Sequence, residues 1–306
     1  VRQLLNVTVS RWTAIAALLA APVIGACSAP AATPAAPSKA QSVSSATPSQ
    51  LKDLERQYDV RLGVYAVNLA TGKSVVQRAN ERFPILSTFK TYACAALLHE
   101  HPLRTGYFDR RIFYTEADLV ANSPATSTHL KTGMTVAELC AAAINLSDNT
   151  AGNLLLKQLG GPAALTRFAR STGDPVTRLD RWETDLNTAI PGDPRDTSSP
   201  RALGTAYRSF VLGGVVGAPE RAQLKKWLIA TTTGLQRLRA GLPAGWVTGD
   251  KTGTGDYGSA NDIAITWTDK GVPILIAVQS TKSTANATTD NAMFVATAKI
   301  VVQALR

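Results

Sequence analysis

The chain has 306 residues, 45% of them hydrophobic and 18% charged, with a formal net charge of +10. That is a globular composition with enough apolar material for one large domain or two intimately packed ones. The basic residues are scattered from Lys52 to Lys299 with no arginine-rich run and no interleaved aromatic stripe, which excludes nucleic acid as the partner and leaves the charge a weak steering role toward anionic small molecules.

In chain order, Arg2 and Arg11 precede an almost continuous apolar run from Trp12 to Ile24. A spanning helix needs about 20 apolar residues and a signal-peptide core only about 7–15, so residues 1–27 read as an export signal. The run closes in Val23-Ile24-Gly25-Ala26-Cys27, which resembles a bacterial lipoprotein box with Cys27 as the lipidated residue; simple cleavage after a small residue is the alternative. The expected location is the cell envelope or periplasm as a lipoprotein, or the medium as a secreted protein. Residues 28–46 are mostly Ala, Pro, Ser and Thr, a tether that cannot bury enough apolar area to order itself. Of the three cysteines, Cys94 and Cys140 are then available for one disulfide in an oxidising compartment, or remain two buried thiols.

Thr47-Pro48-Ser49-Gln50 has the pattern of a helix start, with Leu51, Leu54 and Tyr58 following at helical spacing. Residues 61–79 alternate, break at Ala70-Thr71-Gly72 and resume, which predicts a hairpin. Helical periodicity covers 95–98, 136–143, 151–159, 163–169 and 203–211. Strand patterns return at 247–254, 262–268 and 273–280, with Asp269-Lys270-Gly271 as a tight turn, and Met293, Ala296, Ile300 and Ala304 mark a last helix. The expected fold is α+β: an antiparallel sheet built from both chain ends and flanked by helices, roughly 47–86 and 231–306, with an all-helical lobe at roughly 87–230. Together they form one domain over 47–306, with the chemistry in the cleft between lobes.

Three short motifs fall in that domain. Ser87-Thr88-Phe89-Lys90 heads a helical run, which puts Lys90 one turn above Ser87 on the same face; a desolvated amine there accepts the hydroxyl proton. Ser147-Asp148-Asn149 lies between two helical patterns, where it is either a helix cap or a hydroxyl and an amide facing substrate. Lys251-Thr252-Gly253-Thr254 lies in a strand whose glycine lets a substrate approach the backbone.

Each motif alone is weak, but in this order the trio resembles class A β-lactamases and the related penicillin-binding enzymes, over roughly Thr47 to Arg306. The resemblance implies hydrolysis of penicillins and some cephalosporins through an ester on Ser87, conferring antibiotic resistance, without metal or other cofactor. Lys90, or Glu183 through a water, takes the Ser87 proton, and Ser147 relays one to the leaving nitrogen beside Lys251. Asn149, Thr252, Gly253 and Thr254 line the substrate, and the backbone N–H groups of Ser87 and Thr254 form the oxyanion hole. The segment Arg181-Trp182-Glu183-Thr184-Asp185-Leu186-Asn187 resembles the loop that distinguishes hydrolases from slow penicillin binders. Glu183 and Asn187 hold the deacylating water there, and Arg181 with Asp196 closes the loop.

Family members often place an arginine on the strand after the Lys-Thr-Gly motif. Here that stretch is Gly258-Ser259-Ala260-Asn261, so Arg237 is the candidate for the substrate carboxylate, a position some actinobacterial members use. Cys94 and Cys140 fall where many members carry one disulfide. Asn122 precedes Ser123-Pro124 where an aromatic is common, and Leu86 stands where some carbapenem-hydrolysing members have cysteine, which argues against carbapenems. The alternative is a D,D-peptidase or penicillin-binding receptor that acylates and stalls. Metal hydrolysis is disfavoured by only three histidines, since His99 and His101 point to different helix faces. Nothing calls for a protein partner, so a monomer is expected, touching membrane only through a lipid on Cys27.

Overall fold

The computed structural model describes residues 47–306; the expected export signal, Cys27 and the tether lie outside the described residues. Helix α1 (Thr47–Tyr58) buries Leu51 and Leu54, its apolar positions at a spacing of three. Strands β1 (Arg61–Asn68) and β2 (Ser74–Gln77) form the expected hairpin. Asn68 shapes its turn by accepting the N–H groups of Ala70 and Thr71 on its side-chain oxygen, an Asx turn that substitutes a side chain for a backbone acceptor.

Strands β7 (Val247–Thr254), β8 (Ala260–Trp267) and β9 (Pro273–Thr281) complete a five-stranded antiparallel sheet in the order β2-β1-β9-β8-β7. β8 and β9 are buried on both faces, so their apolar residues run on almost without alternation. On one face Val64, Ala66, Ala264 and Ile276 pack with Leu51, Phe294 and Val301, the last two on helix α9 (Asn291–Leu305). On the other, Ile263, Ile265, Leu275 and Ala277 meet the helical core.

That core centres on α2 (Phe89–Glu100), whose residues Phe89 to Leu98 are all buried. A helix apolar all round belongs inside a protein, and α2 is enclosed by α3 (Val136–Asn145), α4 (Asn149–Leu159), α5 (Pro162–Ser171) and α7 (Ala218–Ile229). Helix α6 (Pro200–Val211) packs against the sheet, with Gly204 so close to Tyr65 and Leu275 that a Cβ would lie 3.0 and 3.1 Å from them. A short helix, α8 (Leu238–Gly241), lies against α9.

Two pairs of two-residue strands complete the set: β3 (Phe83–Pro84) with β6 (Thr197–Ser198), and β4 (Arg111–Ile112) with β5 (Met134–Thr135). The first ties the approach to Ser87 to the end of the 181–196 loop. Among the described residues no helix is long and apolar enough to cross a membrane.

Candidate active site

The nucleophile turn is held before the helix begins. Ile85 donates its N–H to Asp196 O at 2.8 Å, and Leu86 takes a left-handed φ of 51°, a conformation that costs a non-glycine residue roughly 1–3 kcal/mol and persists only where the surroundings impose it. Leu86–Thr88 form a single 3-10 turn leading into α2. Ser87 is 6% exposed and Lys90 fully buried.

Lys90 Nζ lies 2.8 Å from Ser87 Oγ, 2.8 Å from Ser147 O, 2.6 Å from Asn149 Oδ1 and 3.0 Å from Glu183 Oε1. The backbone carbonyl and the amide oxygen only accept hydrogen bonds, so each requires one lysine N–H. That leaves one position on nitrogen, a third N–H or a lone pair, facing Ser87 and Glu183. Burial lowers the Lys90 pKa, opposed by the charge and hydrogen bond of Glu183. Ser87 donates to Glu183 Oε1 at 3.1 Å. Glu183 is thus within direct reach of the nucleophile as well as of Lys90.

The Ser147-Asp148-Asn149 segment is a cap and a site at once. Asp148 caps α4 by accepting Ala151 N–H at 2.8 Å, and also accepts the N–H groups of Ala125 and Thr126, both at 2.9 Å. This fixes the turn in which Ser147 adopts φ 59° and presents Oγ to Lys251 Nζ at 2.9 Å. Asn149, in the first turn of α4, donates to Ala121 O while its oxygen receives Lys90.

Lys251 projects from β7, the sheet edge, toward the helical lobe. Its pKa is held well below the ordinary lysine value, first by burial and then by the charge of Lys90. Gly253 fits against the nucleophile turn: a Cβ there would stand 2.7 Å from Leu86 Cβ and 3.2 Å from Ser87 N. Arg237 reaches the same edge from the opposite face of the sheet. Its guanidinium donates to Gly253 O and Asn261 O, both at 2.8 Å, and to Thr254 Oγ1 at 2.7 Å. Burial lowers the Arg237 pKa, and no carboxylate forms an ion pair with it among the described residues.

The 181–196 loop supplies Glu183. Arg181 Nε donates to Asp196 Oδ2 at 2.6 Å, while Asp196 Oδ1 accepts Asp180 N–H and Arg181 N–H at 2.7 and 2.9 Å. Asn187 donates its amide to Glu183 Oε2 at 2.5 Å. The structure thus gathers Ser87, Lys90, Ser147, Asn149, Glu183, Asn187 and Lys251 into one continuous network, with Thr252, Gly253, Thr254 and Arg237 along its β7 side.

The Beta-lactamase enzyme family model matches residues 46–305. The chain belongs to the β-lactamase enzyme family. It is 60% identical over 253 residues to "Beta-lactamase AST-1" of Nocardia asteroides, covering 83% of this chain and 82% of that protein. It is 48% identical over 253 residues to "Carbapenem-hydrolyzing beta-lactamase KPC" of Klebsiella oxytoca, covering 82% and 86%. The class A β-lactamase of the last common ancestor of Gram-negative bacteria superposes with a TM-score of 0.81 at 53% identity, covering 85% of this chain and 99% of that one. This is a class A β-lactamase fold.

Against that family frame, the disulfide expected between Cys94 and Cys140 is not formed in the structure. Both are buried free thiols in the structure, the alternative the sequence left open; burial, and then the hydrogen bond and charge of Cys94, raise the Cys140 pKa. Asn122, where β-lactamases often have an aromatic, adopts φ 59° and donates to Ser147 O at 3.2 Å, so it braces the turn.

Two contributors to the site were not read from the sequence. Asn153 binds both backbone groups of Glu183, its Oδ1 accepting the N–H and its Nδ2 donating to the carbonyl, each at 2.9 Å. Its spacing of four from Asn149 on one helix was the available signal. Thr233 shares a 2.6 Å hydroxyl contact with Thr252, which has no local sequence signature.

Proposed function

We propose that this chain hydrolyses the β-lactam ring of penicillins and some cephalosporins through an ester on Ser87, conferring resistance to them. The observation that carries the reading is Ser87 Oγ, held 2.8 Å from Lys90 Nζ and 3.1 Å from Glu183 Oε1. Ser87 attacks the lactam carbonyl and its proton passes to Lys90 or Glu183, both within hydrogen-bond reach of its hydroxyl. Backbone N–H groups of Ser87 and Thr254 stabilise the oxyanion. Ser147, beside Lys251, relays that proton to the leaving nitrogen as the C–N bond breaks, which returns Lys90 and Glu183 to their starting protonation. The substrate carboxylate lies along Thr252, Thr254 and Arg237, whose guanidinium donates to Thr254 Oγ1 and supplies the positive charge at this edge. Glu183, its second oxygen fixed by Asn187, then draws the proton from the water that cleaves the ester.

Carbapenems lie outside the proposed range: Leu86 occupies the position where a cysteine would be needed for the extra disulfide of some carbapenem-hydrolysing members. Export through residues 1–27, with lipidation of Cys27 and a monomeric mature protein, is proposed from the sequence pattern.

Intact mass after mixing with benzylpenicillin, wild type beside Glu183→Ala, tests the mechanism. Wild type is expected to return rapidly to its free mass while the variant stays acylated. A wild type that stays acylated identifies a penicillin-binding receptor instead, and no mass gain in either refutes the reading of Ser87.

A further inference from the structure

Behind β7, on the face away from Ser87, two carboxyl groups share a fully buried space. Asp250 and Asp262 are diagonal neighbours on adjacent strands, since Asp250 pairs with Ala264 and Thr252 with Asp262, so their side chains fall on one face within reach of each other. Both are 0% exposed. Asp250 Oδ1 accepts Arg239 Nε at 2.6 Å and Asp262 Oδ2 accepts Leu238 N–H at 3.1 Å. Asp250 Oδ2 and Asp262 Oδ1 have no donor. Two buried carboxylates each with an unpartnered oxygen repel, whereas one proton between those oxygens satisfies both.

We infer that Asp250 and Asp262 hold a single proton, Asp262 donating it to Asp250, and that this pair is a positioning element for the substrate-binding Arg237. The surroundings favour that distribution. Burial raises the pKa of both; at Asp250 the cation of Arg239 opposes it, whereas Asp262 is pushed well up, first by burial and then by the charge of Asp250. The other charges acting on the pair are Arg237 and, from the opposite face of the sheet, Lys251; α9, which covers this face, has Lys299 as its one charged residue, and that is exposed.

The consequence reaches the cleft through the 234–239 segment. Gly234 lies on Asp250 Oδ2 with no room for a Cβ, Leu238 is held by Asp262, and Arg239 by Asp250. Arg237 stands between these anchors. With one proton retained, the two acids carry one negative charge against the two arginines, and the charge of Arg237 stays available to an incoming carboxylate. With none, the acids neutralise both arginines.

This inference rests on the carboxylate-binding role given to Arg237, and the test separates the two. Asparagine at 262 reproduces the protonated acid, its oxygen accepting Leu238 N–H and its amide donating to Asp250. Infrared difference spectra of the protein at pH 7 should show a protonated-carboxyl band that Asp262→Asn removes. Asp262→Ala should raise KM for benzylpenicillin about tenfold with kcat changed less than about threefold, and Asp262→Asn should restore KM. Adding Asp262→Ala to Arg237→Ala should raise KM no further.

Absence of the infrared band, or an Asn variant as impaired as the Ala variant, overturns the shared proton; if the Ala variant does not fold, the spectra and the Asn variant still decide. If Arg237→Ala alone leaves KM unchanged, the positioning role falls with the reading of Arg237, and the infrared band still decides the proton.

Discussion

Gly253→Ala places a methyl group against the least movable part of the site. Its Cβ would stand 2.7 Å from Leu86 Cβ, and carbon atoms prefer about 3.5–4.0 Å, so one partner must retreat by about 0.8 Å or more. Leu86 Cβ is fixed to a left-handed backbone and no side-chain rotation moves it aside, so the strand and the nucleophile turn must separate. Overpacking of this kind costs about 1–3 kcal/mol, which for a domain of this size lowers Tm by about 2–4 °C per kcal/mol. The catalytic loss should be larger, because the oxyanion donors lie on opposite sides of that contact; a displacement near 1 Å costs about 10²-fold. Steady-state hydrolysis of benzylpenicillin should show kcat/KM reduced about 10²-fold. Gly214→Ala, where a Cβ meets nothing within 4 Å, should match wild type. A Gly253→Ala enzyme within threefold of wild type and unchanged in Tm would refute this account of the oxyanion hole.

Asp196→Ala removes a fully buried carboxylate together with the acceptor of three donors and should cost about 3 kcal/mol. Tm should fall and benzylpenicillin should remain bound to Ser87 by intact mass, because the loop no longer presents Glu183. Asn153→Ala leaves the backbone N–H and carbonyl of Glu183 without their partner, a cost of about 1–3 kcal/mol; quenched-flow mass spectrometry should show slower deacylation with acylation largely retained. Lys251→Met should abolish efficient turnover yet keep or raise Tm at pH 7. A lysine whose folded pKa is depressed binds fewer protons folded than unfolded, so the wild type gains stability as pH rises through the interval between that depressed value and 10.5. The Tm difference between variant and wild type should therefore narrow from pH 7 toward pH 10, by differential scanning fluorimetry.

The elements with strong periodicity were legible. β9 and α9 lie within a residue or two of their patterns, and the strand at 262–268 begins two residues earlier, at Ala260. α7 buries only Glu220, Leu224, Trp227 and Leu228, too sparse a stripe to stand out in the sequence, and four-residue α8 is set by its packing against α9. The residues named for the site were brought together because each motif has a local reason to be where it is: a helix start, a cap, an edge strand. Asn153, Thr233 and the Asp250–Asp262 pair act through partners 30, 19 and 12 positions away, and no window of sequence displays such a pairing.

The pairing of β1 with β9 joins residues such as Arg61 and Thr281, 220 positions apart. A sheet closed by its own chain ends has a slow kinetic signature, since the central strand cannot be seated until nearly the whole polypeptide is available and the loop-closure entropy of that span has been overcome. During synthesis the β1–β2 hairpin must wait with one edge bare, and truncation anywhere before Pro273 leaves it without a partner. The β9 segment therefore governs when the first strands become native, and completion of that long-range pairing, rather than formation of the Ser87 turn, starts the clock on activity.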